Sequence, residues 1–205
     1  AIKYQLPKEE YLQYLDIVSI GTISDIVPLV GENRIISKCG LKMMDKTQNA
    51  GLKALIKLIN VKEMDSMMVS FGMAPRINAC GRMGHASAAV KLLLEEDENK
   101  AEQIALELDN LNQERKDVET IIYEQALEMI AKNNLDKKNS IVLYSSSWHN
   151  GVIGIVASRL VGIYYKPVIL LTKEHGVIRG SGRCPAGFSI YDALTECKDK
   201  VIQFG

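Results

Sequence analysis

Two glycine-containing stretches in the second half of the chain combine residue types that can bind phosphate. Residues 148–160 read WHNGVIGIVASRL, and residues 180–183 read GSGR. The glycines let a ligand approach the backbone closely, and the guanidinium of Arg183 suits bidentate contact with a phosphate. The same glycines would also serve a tightly packed turn between a strand and a helix. The pattern therefore indicates a phosphate site and leaves the packing role open.

The first stretch requires a strand before it and a helix within it. Residues 141–144 form a short apolar run that ends in three serines, which is typical of a buried strand followed by a polar turn. Apolar residues then recur at helical spacing, so a helix is predicted to begin at Gly151 or Val152. His149 and Asn150 would lie at this junction, where backbone N–H groups and the helix dipole favour an anion.

A carboxylate in the first half of the chain is a candidate metal ligand. Residues 15–21 (LDIVSIG) are short and mostly apolar, which predicts an interior strand of a parallel sheet. Asp25 follows that strand, and open α/β sheets place ligands beyond the carboxyl ends of their strands. Aspartate is also a favoured helix cap. Both roles, metal ligand and cap of the following helix, are open for Asp25.

A further group of candidates lies in residues 74–85 (APRINACGRMGH), where no regular period is found and a polar loop is predicted. Such loops often carry recognition residues. Arg76 and Arg82 are candidates for phosphate contacts, and Asn78 is a candidate for orienting a phosphate. The arginines could equally cap helices or pair with acids. His85 is assigned to a helix start or to the surface rather than to a metal site.

Helical periodicity dominates the remainder of the first half. Helices are predicted at residues 32–45, 51–59, 65–73 and 86–94. The longest helical stretch runs from residue 97 to about residue 133, roughly 50 Å at the α-helical rise. Its apolar stripe is narrow, which favours a helix that connects two domains. The polar run at residues 133–139 is the clearest domain boundary.

Beyond that boundary the pattern predicts a small α/β domain. The predicted order is strand 140–144, helix 151–164, strands 167–172 and 177–181, and helix 189–199. His175 is assigned to a hairpin turn between the last two strands, and Ser189 with Asp192 resembles a capping box. The predicted fold class is therefore α/β, with a mostly helical first part, a long connecting helix and a smaller α/β domain.

Composition narrows the class of protein. The 205 residues carry 25 basic and 25 acidic side chains, so any nucleic-acid-binding surface must be local. No apolar run reaches membrane-spanning length. The four cysteines show no CxxC pairing, which favours reduced thiols in a cytoplasmic protein.

The ordered set of motifs resembles one family, the RecJ single-stranded-DNA exonucleases of the DHH phosphoesterase superfamily. The matching segments are LDIVSIGTISDIVPLVGENR, APRINACGRMGHAS, LDNLNQERKDVE, SWHNGVIGIVASRL, KPVILL and IRGSGR, and they cover nearly the whole chain. The resemblance implies the end of a DHH catalytic domain at residues 1–96 and a connecting helix at 97–136. Residues 137–205 would form a DHHA1-like nucleic-acid-binding domain that is incomplete at its C-terminus.

The resemblance also implies an activity, 5′→3′ hydrolysis of single-stranded DNA in DNA repair and recombination, with two Mn²⁺ (or Mg²⁺) ions in the full-length enzyme. Asp25 matches a metal-binding aspartate, and Asp25 and Arg82 are the implied catalytic residues. The implied substrate-binding residues are Arg76, Asn78, His149, Gly151, Ser181, Gly182 and Arg183. Single-stranded DNA is the implied partner, with no membrane, and no protein partner is indicated.

The family's DHH triplet, its earlier aspartate motifs and a glycine- and histidine-rich segment are absent from these 205 residues. We therefore expect an internal fragment that binds no ions by itself and is inactive alone, because a two-metal site needs several carboxylates and imidazoles. Two other functions fit the same residues. One is a DHH-family phosphodiesterase of short oligonucleotides or cyclic dinucleotides, and the other is a non-catalytic nucleic-acid-binding module.

Overall fold

The structure is a computed structural model that describes residues 7–61 and 63–205. The first six residues of the predicted catalytic-domain segment, and residue 62, lie outside the described part. The chain divides into two compact units, the first ending at Gln113 and the second beginning at Glu114. This division falls within a single continuous helix, α7 (Glu98–Lys132). The predicted α/β class is confirmed, whereas the predicted domain limits at residues 96 and 136 stay a prediction.

Unit 1, the part of the chain up to Gln113, consists of helices in the described residues. The helices that precede α7 are α1 (Lys8–Leu12), α2 (Leu15–Ser24), α3 (Gly31–Met44), α4 (Ala50–Ile59), α5 (Ala74–Arg82) and α6 (Ala86–Leu94). Helices α2 to α7 and a π-helical segment all contribute side chains to one hydrophobic core. Its fully buried members include Leu55, Met73, Leu92 and Leu108.

The predicted strand at residues 15–21 is wrong, because this segment is helix α2. Its buried residues are Asp16, Ser19, Ile20 and Ile23. Their spacing of three and four residues places them along one side of a helix. A short apolar run does not distinguish a buried strand from a buried helix by periodicity, and here tertiary packing against α3 favours the helix.

The predicted polar loop at residues 74–85 is also wrong over most of its length. Residues 68–73 form a π-helix, Met68–Met73, which continues directly into α5. Pro75 is tolerated because it lies in the first turn of α5, where a backbone N–H is not needed for the helix. The helix ends in a turn at Gly84, whose φ of +89° is a conformation that glycine adopts readily.

Unit 2, from Glu114 onward, contains a three-stranded sheet in the order β1-β2-β3. Strands β1 and β2 are parallel, and β2 and β3 are antiparallel. The crossover helix α8 packs on β2 and β3, and its buried residues include Val152, Val156 and Leu160. The elements are β1 (Ile141–Tyr144), α8 (Asn150–Tyr164), β2 (Val168–Glu174), β3 (Val177–Arg183) and α9 (Ile190–Glu196).

The strand-helix-strand order of unit 2 agrees with the sequence pattern, although several element ends differ from the predicted ones by one to three residues. Strand β3 extends to Arg183, two residues beyond its predicted end, so the whole GSGR sequence lies within a hydrogen-bonded strand. The last helix ends at Glu196 and is followed by a short 3₁₀ turn. His175 lies in the hairpin turn, as predicted, with φ of +49°.

The second half of α7 contacts α8 through polar side chains. Arg159 of α8 lies 3.9 Å from the carboxylate of Glu119, which also pairs with Arg115 at 2.6 Å. The guanidinium of Arg159 lies 3.7 Å from the ring centroid of Tyr123 in a cation–π contact. None of the helices in the described part of the chain is long and apolar enough to cross a membrane.

Candidate nucleic-acid interface

The turn between β1 and α8 brings His149 to the start of the helix, as the sequence predicts. His149 occupies the N-cap position, and its Nδ1 accepts a hydrogen bond from the backbone N–H of Gly151 at 3.1 Å. This bond uses Nδ1 as the acceptor, which leaves Nε2 as the ring nitrogen that can donate. The Nε2–H group remains a donor at the positive end of the helix dipole.

Strand β3 places Ser181 and Arg183 on the sheet face that is covered by α8. Ser181 is paired with Leu170 and Arg183 with Val168, and both of these β2 residues are buried. Directly cross-strand residues point to the same face of a sheet. A Cβ atom placed on Gly154 of α8 would lie 2.8 Å from Ser181 Oγ and 3.3 Å from Arg183 Nη2. Gly154 therefore allows both side chains to approach the second turn of α8.

The guanidinium of Arg183 is held by its own strand. Its Nη1 donates to the carbonyl oxygen of Gly182 at 2.7 Å and to Ser181 Oγ at 3.2 Å. The side chain is exposed, and within the described residues it makes no ion pair with a carboxylate. These contacts orient the guanidinium and leave its positive charge uncompensated by a direct ion pair, which suits an anionic ligand.

Gly182 has a different environment from its neighbours, because it lies on the opposite face of the sheet. A Cβ atom at this position would lie 2.9 Å from Cδ1 of Ile190 in α9. Gly182 thus permits close packing of α9, while its carbonyl oxygen holds Arg183. The structure gives this glycine a packing contact in addition to its predicted place in the substrate-binding motif.

The sequence analysis did not identify Glu174 and Arg179, two charged residues that lie near the start of α8. Glu174 Oε2 lies 3.3 Å from Arg179 Nε and accepts a hydrogen bond from Asn150 Nδ2 at 3.4 Å. Arg179 is paired with Thr172 and shares the α8-facing side with Ser181 and Arg183. Arg179 lies two residues before Ser181 and four before Arg183. The two-residue period of a strand therefore places all three on one face, and this pattern could have identified Arg179 from the sequence.

In unit 1, Asp25 is exposed and follows the last residue of α2. The N-cap position of the next helix, α3, is Val30, so Asp25 does not cap that helix. The described residues contain no group of three or more His, Cys, Asp or Glu side chains that could hold a metal ion. Asp25 and its surroundings in this part of the chain therefore do not fit a complete two-metal centre.

The three candidates of α5 do not share one face of the helix. Asn78 and Arg82 are exposed and four residues apart, which places them on the same face. Arg76 is instead half-buried, with its Nε 2.8 Å from Asp109 Oδ1 and its Nη1 donating to the Gly72 carbonyl at 2.7 Å. The phosphate role of Arg76 stays a prediction, and two of its guanidinium nitrogens, Nε and Nη1, already have protein partners.

The chain is similar to known proteins over its whole length, although no family model matches it. It is 42% identical to the single-stranded-DNA-specific exonuclease RecJ of Bacillus subtilis, over 100% of the chain and 26% of the relative. It is 35% identical to RecJ of Haemophilus influenzae (95% of the chain, 36% of the relative) and 34% identical to RecJ of Thermus thermophilus (95% and 28%). The chain thus spans between about a quarter and a third of the length of these relatives.

Solved structures give the same result. RecJ from Thermus thermophilus in complex with Mg²⁺ superimposes with a TM-score of 0.87 at 32% identity, over 99% of the chain and 31% of the RecJ structure. A structure of exonuclease RecJ bound to manganese matches with a TM-score of 0.85 at 33% identity, over 99% of the chain and 50% of its own length. Over its whole length, the chain is therefore homologous to one segment of the RecJ single-stranded-DNA-specific exonucleases.

Proposed function

We propose that this chain is the part of a RecJ-type 5′→3′ exonuclease that binds single-stranded DNA for hydrolysis. The observation that carries the proposal is the exposed Arg183 guanidinium, oriented by Ser181 and Gly182 beside the second turn of α8. The whole-chain homology to RecJ supports it. The function that follows is a metal-dependent phosphodiesterase that acts in DNA repair and recombination in the cytoplasm.

The α8 site, defined here as His149, Gly151, Gly154, Ser181 and Arg183, would bind the strand through its phosphates. Donors available to a phosphate oxygen include His149 Nε2–H, the Ser181 hydroxyl and the guanidinium of Arg183. Phosphate contacts carry no base identity, so this mode of binding suits an enzyme that degrades DNA of any sequence. Gly182 would contribute indirectly, through the carbonyl oxygen that holds Arg183.

For unit 1, we propose that Asp25 is one ligand of the metal ions in the longer protein, with the other ligands supplied from outside this chain. Its carboxylate is exposed and does not cap the following helix α3, which supports this assignment. Arg82 and Asn78, on the exposed face of α5, would contact the phosphate to be hydrolysed. Arg76, which is paired with Asp109, would contribute to the same contact.

The test is a hydrolysis assay on the parent protein that carries this chain. With Mn²⁺ present, we expect a 5′-labelled single strand to be degraded and a blunt duplex to be left intact. Asp25→Asn should abolish turnover, whereas Asp199→Asn, which changes another exposed carboxylate, should not. The 205-residue chain alone should bind the strand without cleaving it.

The alternatives predict other outcomes of the same assay. Hydrolysis confined to dinucleotides or cyclic dinucleotides in a chain-length series would assign the protein to the small-substrate phosphodiesterases. Binding of the strand by the parent protein with no turnover under any divalent metal would assign it to the non-catalytic binding modules. Failure of both binding and turnover would overturn the proposal altogether.

A further inference from the structure

Trp148 links the turn between β1 and α8 to two other elements of unit 2, α7 and β2. Its side chain is 4% exposed, and it directly precedes the N-cap His149. The indole Nε1–H donates to Gln125 Oε1 of α7 at 2.7 Å. The backbone carbonyl of Trp148 accepts a hydrogen bond from the hydroxyl of Thr172 in β2 at 2.6 Å. One residue is thus held by two elements, at its side chain and at its backbone.

These two bonds differ in their surroundings. Thr172 is 1% exposed and lies inside the sheet, so its bond to the Trp148 carbonyl belongs to the core of unit 2. Gln125 is exposed, and its bond reaches the turn from the surface of the long helix. Without the glutamine oxygen, water would satisfy the indole N–H equally well, but water would not hold the indole in position against α7.

We propose that Gln125 is a positioning residue for phosphate binding, which fixes Trp148 and through it the His149–Gly151 turn. The proposal rests on the proposed function, because it assigns a role to Gln125 only if the α8 site binds phosphates. The effect is local, since a second contact between the helices, Arg159 on Tyr123, is independent of Gln125. Loss of Gln125 should therefore alter the turn while α8 stays packed against α7.

The test compares single and double variants of the 205-residue chain, using a fluorescently labelled single strand and binding measured by anisotropy at several salt concentrations. Gln125→Met removes the acceptor at nearly constant length, and Trp148→Phe removes the donor while keeping an aromatic ring. Gln103→Met is the matched control, since Gln103 is an exposed glutamine of the same helix. Because Trp148 is the single tryptophan of the chain, its emission reports the environment of the turn directly.

We expect Gln125→Met to weaken binding by about fivefold, the factor that corresponds to one neutral hydrogen bond, and to shift the emission of Trp148. The plot of log affinity against log salt should become flatter, because a misplaced turn loses phosphate contact. The double variant should bind no more weakly than the weaker single variant, since both changes break the same bond. Gln103→Met should match the wild type in affinity, slope and emission.

The outcomes separate this inference from the proposed function. A wild-type chain that does not bind the strand overturns the proposed function and the role of Gln125 with it. Wild-type binding with unchanged affinity and slope in Gln125→Met overturns the positioning role alone. Additive losses in the double variant would do the same, because the two residues would then act independently. If Trp148→Phe fails to fold, the comparison of Gln125→Met with Gln103→Met still tests the positioning role. A flatter salt slope in Gln125→Met alone supports that role, and equal slopes overturn it.

Discussion

Gly154 of α8 lies so close to Ser181 of β3 that a Cβ atom on the glycine would come within 2.8 Å of the serine oxygen. The same atom would lie 3.3 Å from Arg183 Nη2. Both neighbours are ends of side chains rather than backbone atoms. A methyl group at position 154 would therefore move the two proposed phosphate donors without breaking the packing of the helix on the sheet.

The first prediction follows from that contact. Gly154→Ala should weaken binding of single-stranded DNA by displacing Ser181 and Arg183, with little change in the free energy of unfolding. The matched control is Gly162→Ala in the same helix, because a Cβ atom at position 162 would meet no neighbouring atom within 4 Å. The control should gain about 1 kcal/mol in helix propensity and bind normally. Equal affinities of the two variants would remove Gly154 from the site.

The second prediction concerns Arg183. If it contacts a phosphate, Arg183→Ala should weaken binding about equally for all base compositions and reduce the slope of log affinity against log salt by roughly 0.7. The melting temperature should change little, because the side chain is exposed and its hydrogen bonds are to Ser181 and Gly182 of its own strand. Lys173→Ala is the control, since Lys173 is exposed and points to the opposite face of β2. A lower melting temperature with an unchanged slope would make Arg183 a packing residue.

The sequence predicted unit 2 well because its strands and helix differ clearly in periodicity and length. The errors lie in unit 1, at residues 15–21 and 74–82. At residues 15–21, a short apolar run is compatible with a strand or with a helix, and packing against α3 decides for the helix. At residues 74–82, Pro75 and Gly81 resemble loop residues, although the first turn of a helix tolerates proline and an exposed last turn tolerates glycine.

The residues of the candidate site could likewise be predicted only in part from the sequence. His149, Ser181 and Arg183 were selected by residue type and motif, and β3 and α8 bring two of them together at Gly154. The contributions of Gln125 and Glu174 were not visible, because their partners Trp148 and Asn150 are distant in sequence and depend on helix orientation and strand register. Such contacts require the tertiary fold, whereas motif residues are local in sequence.

The third prediction separates two roles for Arg76. Its bonds to Asp109 and to the Gly72 carbonyl connect α5 with α7 and with the π-helix. Arg76→Met should lower the free energy of unfolding by about 1–2 kcal/mol, because a half-buried pair loses one partner. Asp109→Asn, which keeps an acceptor, should cost less. Urea denaturation checks both values, and a flatter salt slope for DNA binding in Arg76→Met, at unchanged stability, would instead favour the phosphate role.

The last prediction concerns the thiol of Cys80, which is fully buried in α5 and donates to the Arg76 carbonyl at 3.4 Å. Burial raises the pKa of Cys80 above its ordinary value of 9.0. Exposed Cys39 and Cys197 should therefore react with a maleimide in the native chain, whereas Cys80 should react only after unfolding. Mass spectrometry of the labelled peptides gives the order of modification.

The raised pKa of Cys80 also has a consequence for stability. Well below pH 9.0 the thiol is protonated in both states, so its contribution does not vary with pH. As the pH rises through that value, the unfolded chain loses the proton while the folded chain keeps it, and the free energy of unfolding decreases. Between about pH 8 and pH 10 the wild type should lose more stability in urea than Cys80→Ala. Equal losses in the two proteins, or labelling of native Cys80 as fast as Cys39, would contradict burial of this thiol.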